Sequence, residues 1–118
     1  MTLDFRINRV KFADEKLFQE YQRLKNGKSE ERLLALEIDG IILGLRENPF
    51  KGVAIPKRLW PREYVRKYGI GSLRKCDLPK GWRLLYSVTA TEKELISVLL
   101  EWFDHKNYYE KRFKYKVG

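Results

Sequence analysis

The chain has 118 residues, of which 43% are hydrophobic, and a formal net charge of +9 at pH 7. That apolar content supports one domain with a buried core and excludes a disordered or fibrous protein. No apolar run approaches the roughly 20 residues that cross a bilayer, and no apolar signal region follows the first residues, so we expect a cytoplasmic protein without membrane association. A single cysteine, Cys76, and a single histidine, His105, argue against a disulfide or a zinc site, and we expect neither metal nor cofactor.

The first half of the chain predicts a strand and two helices. Residues 2–12 alternate apolar and polar side chains, which is typical of a half-buried strand. Asp14 is the expected N-cap of a helix that runs to about residue 25, and Ser29 opens a second helix. The second helix ends at Asn48-Pro49, because the residue before a proline is pushed out of the helical region. We expect the two helices to form an antiparallel hairpin.

Two glycines, Gly40 and Gly44, lie one turn apart inside the second predicted helix. Each lowers the stability of a helix by up to about 1 kcal/mol relative to alanine. We therefore expect another element of the fold to approach the helix closely at these positions.

The middle of the chain, residues 50–72, shows no periodicity and contains prolines and glycines, so we interpret it as a long, basic and partly ordered connection. A short helix is expected at about residues 61–68, with Pro61 at its first position. The last third predicts an antiparallel meander followed by a short helix in a polar, aromatic-rich tail. The strands are expected at residues 73–78, 82–89 and 94–103, the last of them well covered, and the tail spans residues 104–115.

The predicted fold is a single α+β domain over residues 1–118, in the order β-α-α-β-β-β-α. An N-terminal strand and the helical hairpin pack on an antiparallel sheet. In the middle strand of the meander, alternate positions from Trp82 onward should face the helices, and Arg83 should lie on the opposite face. Because an arginine in mid-strand is costly to bury, Arg83 either forms a salt bridge, to Asp77 or Glu101, or binds an anion such as phosphate.

Most of the positive charge is concentrated in residues 51–83, where ten basic side chains stand against two acidic ones. Such a concentration favours a polyanionic partner, and aromatic side chains between the cations could stack on bases. An acidic protein is the alternative partner, for which exposed aromatic residues would be anchors. The aromatic residues that could stack on bases are Trp60, Tyr64, Tyr68 and Trp82, and the first three of these are the candidate protein anchors. The expected nucleic-acid-binding residues are Lys57, Arg58, Arg62, Arg74 and Lys75.

The tail combines a histidine with lysines and tyrosines, which together could transfer a proton and stabilise charge during cleavage of a phosphodiester. His105 and Lys106 are followed closely by Tyr108 and Tyr109. The alternative is that His105 is an ordinary surface residue and that the tyrosines pack on the sheet.

Four stretches of the sequence resemble the RelE/ParE superfamily of type II toxins, which has the same element order. The likeness spans most of the chain, and its most specific part is the strand Trp82-Arg83-Leu84-Leu85-Tyr86-Ser87-Val88. The other three stretches are Arg46-Glu47-Asn48-Pro49-Phe50-Lys51-Gly52, Leu73-Arg74-Lys75-Cys76 and Asp104-His105-Lys106-Asn107-Tyr108-Tyr109.

The resemblance implies a ribosome-dependent endoribonuclease that cuts mRNA and is neutralised by a cognate antitoxin, or, in the ParE branch, an inhibitor of DNA gyrase. In the nuclease, Arg83 would hold the scissile phosphate, His105 or Tyr109 would transfer a proton, and Lys106 would stabilise charge. Arg74 and Lys75 would grip the RNA. A non-catalytic nucleic-acid-binding or regulatory relative is the alternative from a different class of function.

Overall fold

The computed structural model describes residues 5–104, which contain three α-helices and five β-strands. The helices are α1 (Glu15–Lys25), α2 (Ser29–Glu47) and α3 (Arg62–Tyr68). The strands are β1 (Ile7–Phe12), β2 (Val53–Ala54), β3 (Arg74–Asp77), β4 (Arg83–Ala90) and β5 (Glu94–Phe103). None of the helices in this part of the chain is long and apolar enough to span a membrane. The expected tail helix, with His105, Lys106 and Tyr109, lies outside the described residues.

All five strands form one sheet in the order β1-β5-β4-β3-β2. The α+β class and the antiparallel meander of β3, β4 and β5 are confirmed. β1, however, runs parallel to β5, with Ile7 beside Glu94 and Phe12 beside Leu99. The sheet is therefore mixed, and β1 is one of its strands, whereas the sequence predicted an N-terminal strand packed on an antiparallel sheet. Parallel pairing requires a long connection between the strands, which the whole chain between β1 and β5 supplies.

The helical hairpin covers one face of the sheet, as predicted. Leu24 of α1 and Ile38 of α2 are buried against Leu84 and Tyr86 of β4. Successive side chains of a strand point to opposite faces, so Leu85, between these two, lies on the other side of the sheet and joins a second core. The alternation expected for this strand is thus confirmed.

The opposite face of the sheet is covered by the segment between α2 and β3. This segment contains β2, a 3-10 turn at Lys57–Leu59 and α3, which confirms the short helix expected there. Tyr64 of α3 is 2% exposed and packs with Leu85 and Leu100 in the second core. The segment is therefore a regular part of the domain, ordered because it buries its own apolar side chains, and not the partly ordered connection expected from its sequence.

A β-bulge in β5 shapes this second core. The pairing register shifts between Leu85 and Tyr86 of β4, which leaves Leu100 as the extra residue of β5. Leu100 packs into the second core, and the carboxylate of Glu101 accepts a hydrogen bond of 2.8 Å from the hydroxyl of Tyr64. The bulge thus directs two consecutive side chains of β5 toward α3.

The glycines of α2 do not have the neighbours expected for them. A Cβ added at Gly40 would meet no atom within 4 Å, and one added at Gly44 would lie 2.9 Å from the flexible end of the Lys51 side chain. The close approach occurs instead at Gly52, where a Cβ would lie 2.7 Å from the Lys75 carbonyl oxygen. Within the described residues, the prediction of a packing partner at Gly40 is wrong.

Asp14 caps α1, as predicted, and also contacts α3. Its Oδ1 accepts a hydrogen bond of 2.8 Å from the backbone N–H of Leu17. Its Oδ2 accepts a hydrogen bond of 3.3 Å from the Tyr68 hydroxyl and lies 3.4 Å from Lys67 Nζ. One carboxylate therefore joins the start of the helical hairpin to the helix on the other side of the sheet.

We expect Asp14→Ala to lower the free energy of unfolding by about 1 to 2 kcal/mol at neutral pH. The hydrogen bond from Leu17 holds the pKa of Asp14 below its ordinary value of 3.8. The stability that the Asp14 carboxylate contributes is therefore fully present above pH 3.8 and is lost as the pH falls through the lower pKa of the folded state. Urea denaturation at neutral pH and at about pH 2 measures both effects. Asp14→Asn keeps an acceptor for Leu17 and is the control, and an equal loss of stability in this variant would contradict the capping role.

Candidate nucleic-acid interface

A shallow concave patch lies between the 3-10 turn and α3. Its volume is about 300 Å³, and it is lined by Lys57, Trp60, Arg62, Val65 and Arg66. We call these five residues the α3 patch. Its three cationic side chains are exposed, and Val65 is 47% exposed. The patch therefore combines charges that can bind phosphates with an apolar floor that can support a base.

Trp60 is the aromatic residue of this floor, and its ring is held in place. Its indole N–H donates a hydrogen bond of 2.8 Å to the Ile55 carbonyl oxygen, and the residue is half-buried. Arg58, also expected to bind nucleic acid, is exposed on the same 3-10 turn but does not line the patch. The structure thus brings together two of the five predicted binding residues, Lys57 and Arg62, and adds Arg66.

Arg83 begins β4 and forms an ion pair with Asp77, the residue opposite it on β3. Its Nε lies 2.9 Å from Asp77 Oδ1, and its Nη1 donates a hydrogen bond of 3.1 Å to the Trp82 carbonyl oxygen. The buried Nε atom has no hydrogen-bond partner in the described part of the chain, so its contact with Asp77 is an ion pair without a well-aligned hydrogen bond. The salt bridge to Asp77, one of the two partners considered from the sequence, is confirmed.

Lys75 and Asp77 share the face of the sheet on which Arg83 lies. Lys75 is opposite Leu85, whose side chain belongs to the second core, and its Nζ lies 3.4 Å from Asp77 Oδ1. Asp77 therefore faces two cations, and its side chain is 62% exposed. An exposed carboxylate between two cations occupies a position that suits an anionic oxygen.

Arg74 is placed differently from its neighbour Lys75, because adjacent residues of a strand point to opposite faces. Its Nη1 donates hydrogen bonds to the carbonyl oxygens of Phe50 and Gly52, and its guanidinium lies 5.3 Å from the centre of the Phe50 ring. Arg74 thus holds the loop after α2. The two residues expected to grip RNA together lie on different sides of the sheet.

All four aromatic residues expected to contact a partner pack against a core of the domain, Trp60 against the second one. Tyr64 is 2% exposed, so its interpretation as an exposed anchor or stacking platform is wrong. Tyr68 packs against the second core and Trp82 against the first, each half-buried. The aromatic residues of the basic segment therefore serve mainly the core, and Trp60 is the one that lines the α3 patch.

A larger cleft of about 980 Å³ runs around the end of the sheet between the hairpin and α3. Sequence reasoning did not find it, because its walls come from elements far apart in the chain. Burial raises the pKa of Glu101 in this cleft, while the hydrogen bond from Tyr64 opposes that rise. Acidic side chains outnumber basic ones, which disfavours a polyanion there. The acidic residues are Asp14, Glu20, Glu30, Glu31, Glu37, Glu63, Glu101 and Asp104, and the basic ones are Lys16, Arg23, Lys67 and Lys80.

A metal site and a nucleophilic cysteine have little support in the described part of the chain. Among residues 5–104, no three His, Cys, Asp or Glu side chains are grouped so that they could hold a metal ion. Burial raises the pKa of the Cys76 thiol to about 11, so this side chain is protonated at neutral pH and is a poor nucleophile.

Comparison with known proteins adds no relative. No protein-family model matches the chain, and neither the curated proteins nor the solved structures contain a match. Function is therefore inferred from the residues of this chain. Within residues 5–104, the α3 patch and the group of Lys75, Asp77 and Arg83 are the candidate contacts for an anion.

Proposed function

We propose that this protein is a toxin of the RelE type, an endoribonuclease that cuts mRNA on the ribosome and is neutralised by an antitoxin. The observation that carries the proposal is the ion pair of Arg83 and Asp77, which holds a guanidinium on the sheet face beside Lys75. The sequence resemblance, which is strongest around Arg83, supports it. So does a fold in which a helical hairpin covers the other face of an antiparallel meander.

In this proposal, Arg83 binds the scissile phosphate of the RNA. A guanidinium presents parallel N–H groups that match two phosphate oxygens and stays charged at all relevant pH values. The exposed carboxylate of Asp77 orients Arg83 in the free protein and yields its place to the phosphate. During cleavage the ribose 2'-hydroxyl attacks phosphorus and the 5'-oxygen leaves, and Arg83 with Lys75 stabilises the charge on the phosphate oxygens.

The resemblance assigns proton transfer in this reaction to residues of the tail. His105 or Tyr109 takes the proton of the 2'-hydroxyl or supplies one to the leaving oxygen, and Lys106 stabilises charge. The ribosome positions the mRNA, which lowers the demand on the enzyme's own acid and base. The α3 patch binds RNA away from the scissile bond, with Trp60 under a base and Lys57, Arg62 and Arg66 on phosphates.

We expect Arg83→Ala to reduce mRNA cleavage by about 100-fold, because one preorganised contact to the reacting phosphate is lost. Inducible expression with mapping of mRNA 5' ends measures cleavage, and circular dichroism of the purified variant checks the fold. Arg83→Lys keeps the charge without the paired N–H groups and should retain partial activity.

Arg9→Ala is the matched control for Arg83→Ala. Arg9 is an exposed arginine on the edge strand β1, also paired with a carboxylate, 2.9 Å from Glu94. Its removal should leave cleavage unchanged. Cleavage that persists undiminished in folded Arg83→Ala protein would refute the catalytic role of this residue. Arrested cells with intact mRNA and damaged DNA would point instead to gyrase as the target.

A non-catalytic nucleic-acid-binding module is the second candidate, and the α3 patch favours it, because phosphate and base contacts there need no catalytic group. Such a module binds RNA or DNA with strong salt dependence and produces no new 5' ends on translating ribosomes. Detection of in-frame cuts that depend on Arg83 would exclude this candidate.

A further inference from the structure

The outer face of α2 carries a narrow stripe that the described domain leaves uncovered. Arg32, Leu36, Gly40, Leu43 and Glu47 recur at intervals of three or four residues and therefore share one side of the helix. All five are exposed, Leu36 by 63% and Leu43 by 62%. The intervals from Leu36 to Glu47 are those of the seam between two packed helices. We call these five residues the α2 stripe.

Contacts within the described residues do not explain the composition of the α2 stripe. Gly40 disfavours a helix, yet an added Cβ would meet no atom within 4 Å. Arg32 lies in the first turn of α2 and Glu47 is its last residue, so each charge stands at the end of the helix dipole that has the same sign. Each of these three residues weakens an isolated helix, which indicates that a partner outside the described residues compensates for the loss.

The α2 stripe is complementary to a reversed copy of itself. Arg32 and Glu47 lie equally far from its centre on either side, and so do Leu36 and Leu43. In an antiparallel pair of α2 helices, each Arg32 would meet Glu47 of the second copy, and each Leu36 would meet Leu43. The two Gly40 residues would lie near the crossing point, where the absence of side chains lets the helices approach closely. A parallel pair would bring like charges together.

We propose that this protein forms a two-fold symmetric homodimer in which the α2 stripes of two copies pack antiparallel. The α2 stripe is on the hairpin side of the sheet, so this contact leaves the other side, with Arg83 and the α3 patch, uncovered in each copy. The contact contains few apolar side chains and belongs to the small end of the interface range, for which we expect a micromolar dissociation constant. The proposal is independent of the function proposed above.

Sedimentation velocity of the full chain, from about 5 to 500 µM, tests the proposal through charge exchange. Arg32→Glu and Glu47→Arg should each weaken association by about tenfold or more, because like charges then meet across the contact. The double variant Arg32→Glu with Glu47→Arg should recover wild-type association. Lys16→Glu changes the net charge as Arg32→Glu does but lies on α1, outside the α2 stripe, and should leave association unchanged.

The variant Gly40→Ala distinguishes an effect on dimer association from an effect on the stability of the fold. Alanine should raise the midpoint of thermal unfolding, because it favours the helix, and should weaken the dimer about tenfold, because its methyl group holds the helices apart. A merely structural role of Gly40 would not move these two measurements in opposite directions. A wild-type chain that stays monomeric over the whole range, a double variant that does not recover, or a Gly40→Ala variant that associates like the wild type would each overturn the proposal.

Discussion

Replacing Gly52 with alanine should lower the free energy of unfolding by about 3 kcal/mol, through overpacking and lost hydrogen bonds. The new Cβ would lie 2.7 Å from the Lys75 carbonyl oxygen and 2.7 Å from the hydroxyl oxygen of Tyr86. The first of these neighbours is backbone within the sheet, and Tyr86 is fully buried, so neither can move cheaply. The backbone N–H of Gly52 also donates a hydrogen bond of 2.9 Å to the Tyr86 hydroxyl, which itself donates one of 2.8 Å to the Pro49 carbonyl oxygen.

Urea denaturation followed by tryptophan fluorescence measures this effect. Gly71→Ala is the matched control, because a Cβ there would meet no atom within 4 Å, and its stability should stay near that of the wild type. Tyr86→Phe removes both hydrogen bonds without a clash and should cost about 1 to 3 kcal/mol. If Gly52→Ala unfolded at the same urea concentration as Gly71→Ala, the close approach at Gly52 would not exist in solution.

Tyr64→Ala should destabilise the domain by about 3 to 5 kcal/mol, as expected for the loss of a buried aromatic ring. Tyr64 is 2% exposed in the second core, and its hydroxyl donates to Glu101. α3 has only seven residues, and a helix this short is not stable without tertiary packing. We therefore expect the basic segment from Lys57 to Tyr68 to detach from the sheet and the α3 patch to lose its shape.

Hydrogen exchange of the backbone amides in the segment from Lys57 to Tyr68, together with urea denaturation, checks this prediction. Val65→Ala, in the same helix but 47% exposed, is the control and should change the stability little. Tyr64→Phe keeps the ring and should lose about 1 kcal/mol, the value of one hydrogen bond. Wild-type protection of these amides in Tyr64→Ala would show that the ring does not anchor the segment.

Elements with a strong local signal could be predicted from the sequence. Asp14 precedes an amphipathic run and caps a helix, and the alternation along β4 assigns Leu84 and Leu85 to opposite faces. The same alternation places Arg83 on the face away from the hairpin, and the short turn at Pro79–Gly81 brings it opposite Asp77. Local patterning therefore led to the central pair of the candidate site.

Features that depend on distant residues could not be predicted. The parallel pairing of β1 with β5 joins the two ends of the described chain, and β2 has only two residues, too few for a periodic signal. The extra residue of the bulge, Leu100, stands in an apolar run where nothing distinguishes it from its neighbours. The second core and the larger cleft could not be predicted for the same reason, since each is built from elements far apart in the chain.

The pairing of β1 with β5 also sets the order in which the domain can be completed during synthesis. Of the described strands, β1 leaves the ribosome first, while β5, the strand that joins it to the rest of the sheet, is synthesised last. Until β5 is available, the apolar side of the hairpin, with Leu24 and Ile38, has no complete sheet to pack on. Nascent chains that end before this strand therefore expose that surface to chaperones and proteases, and folding of the domain is delayed until β5 has been synthesised.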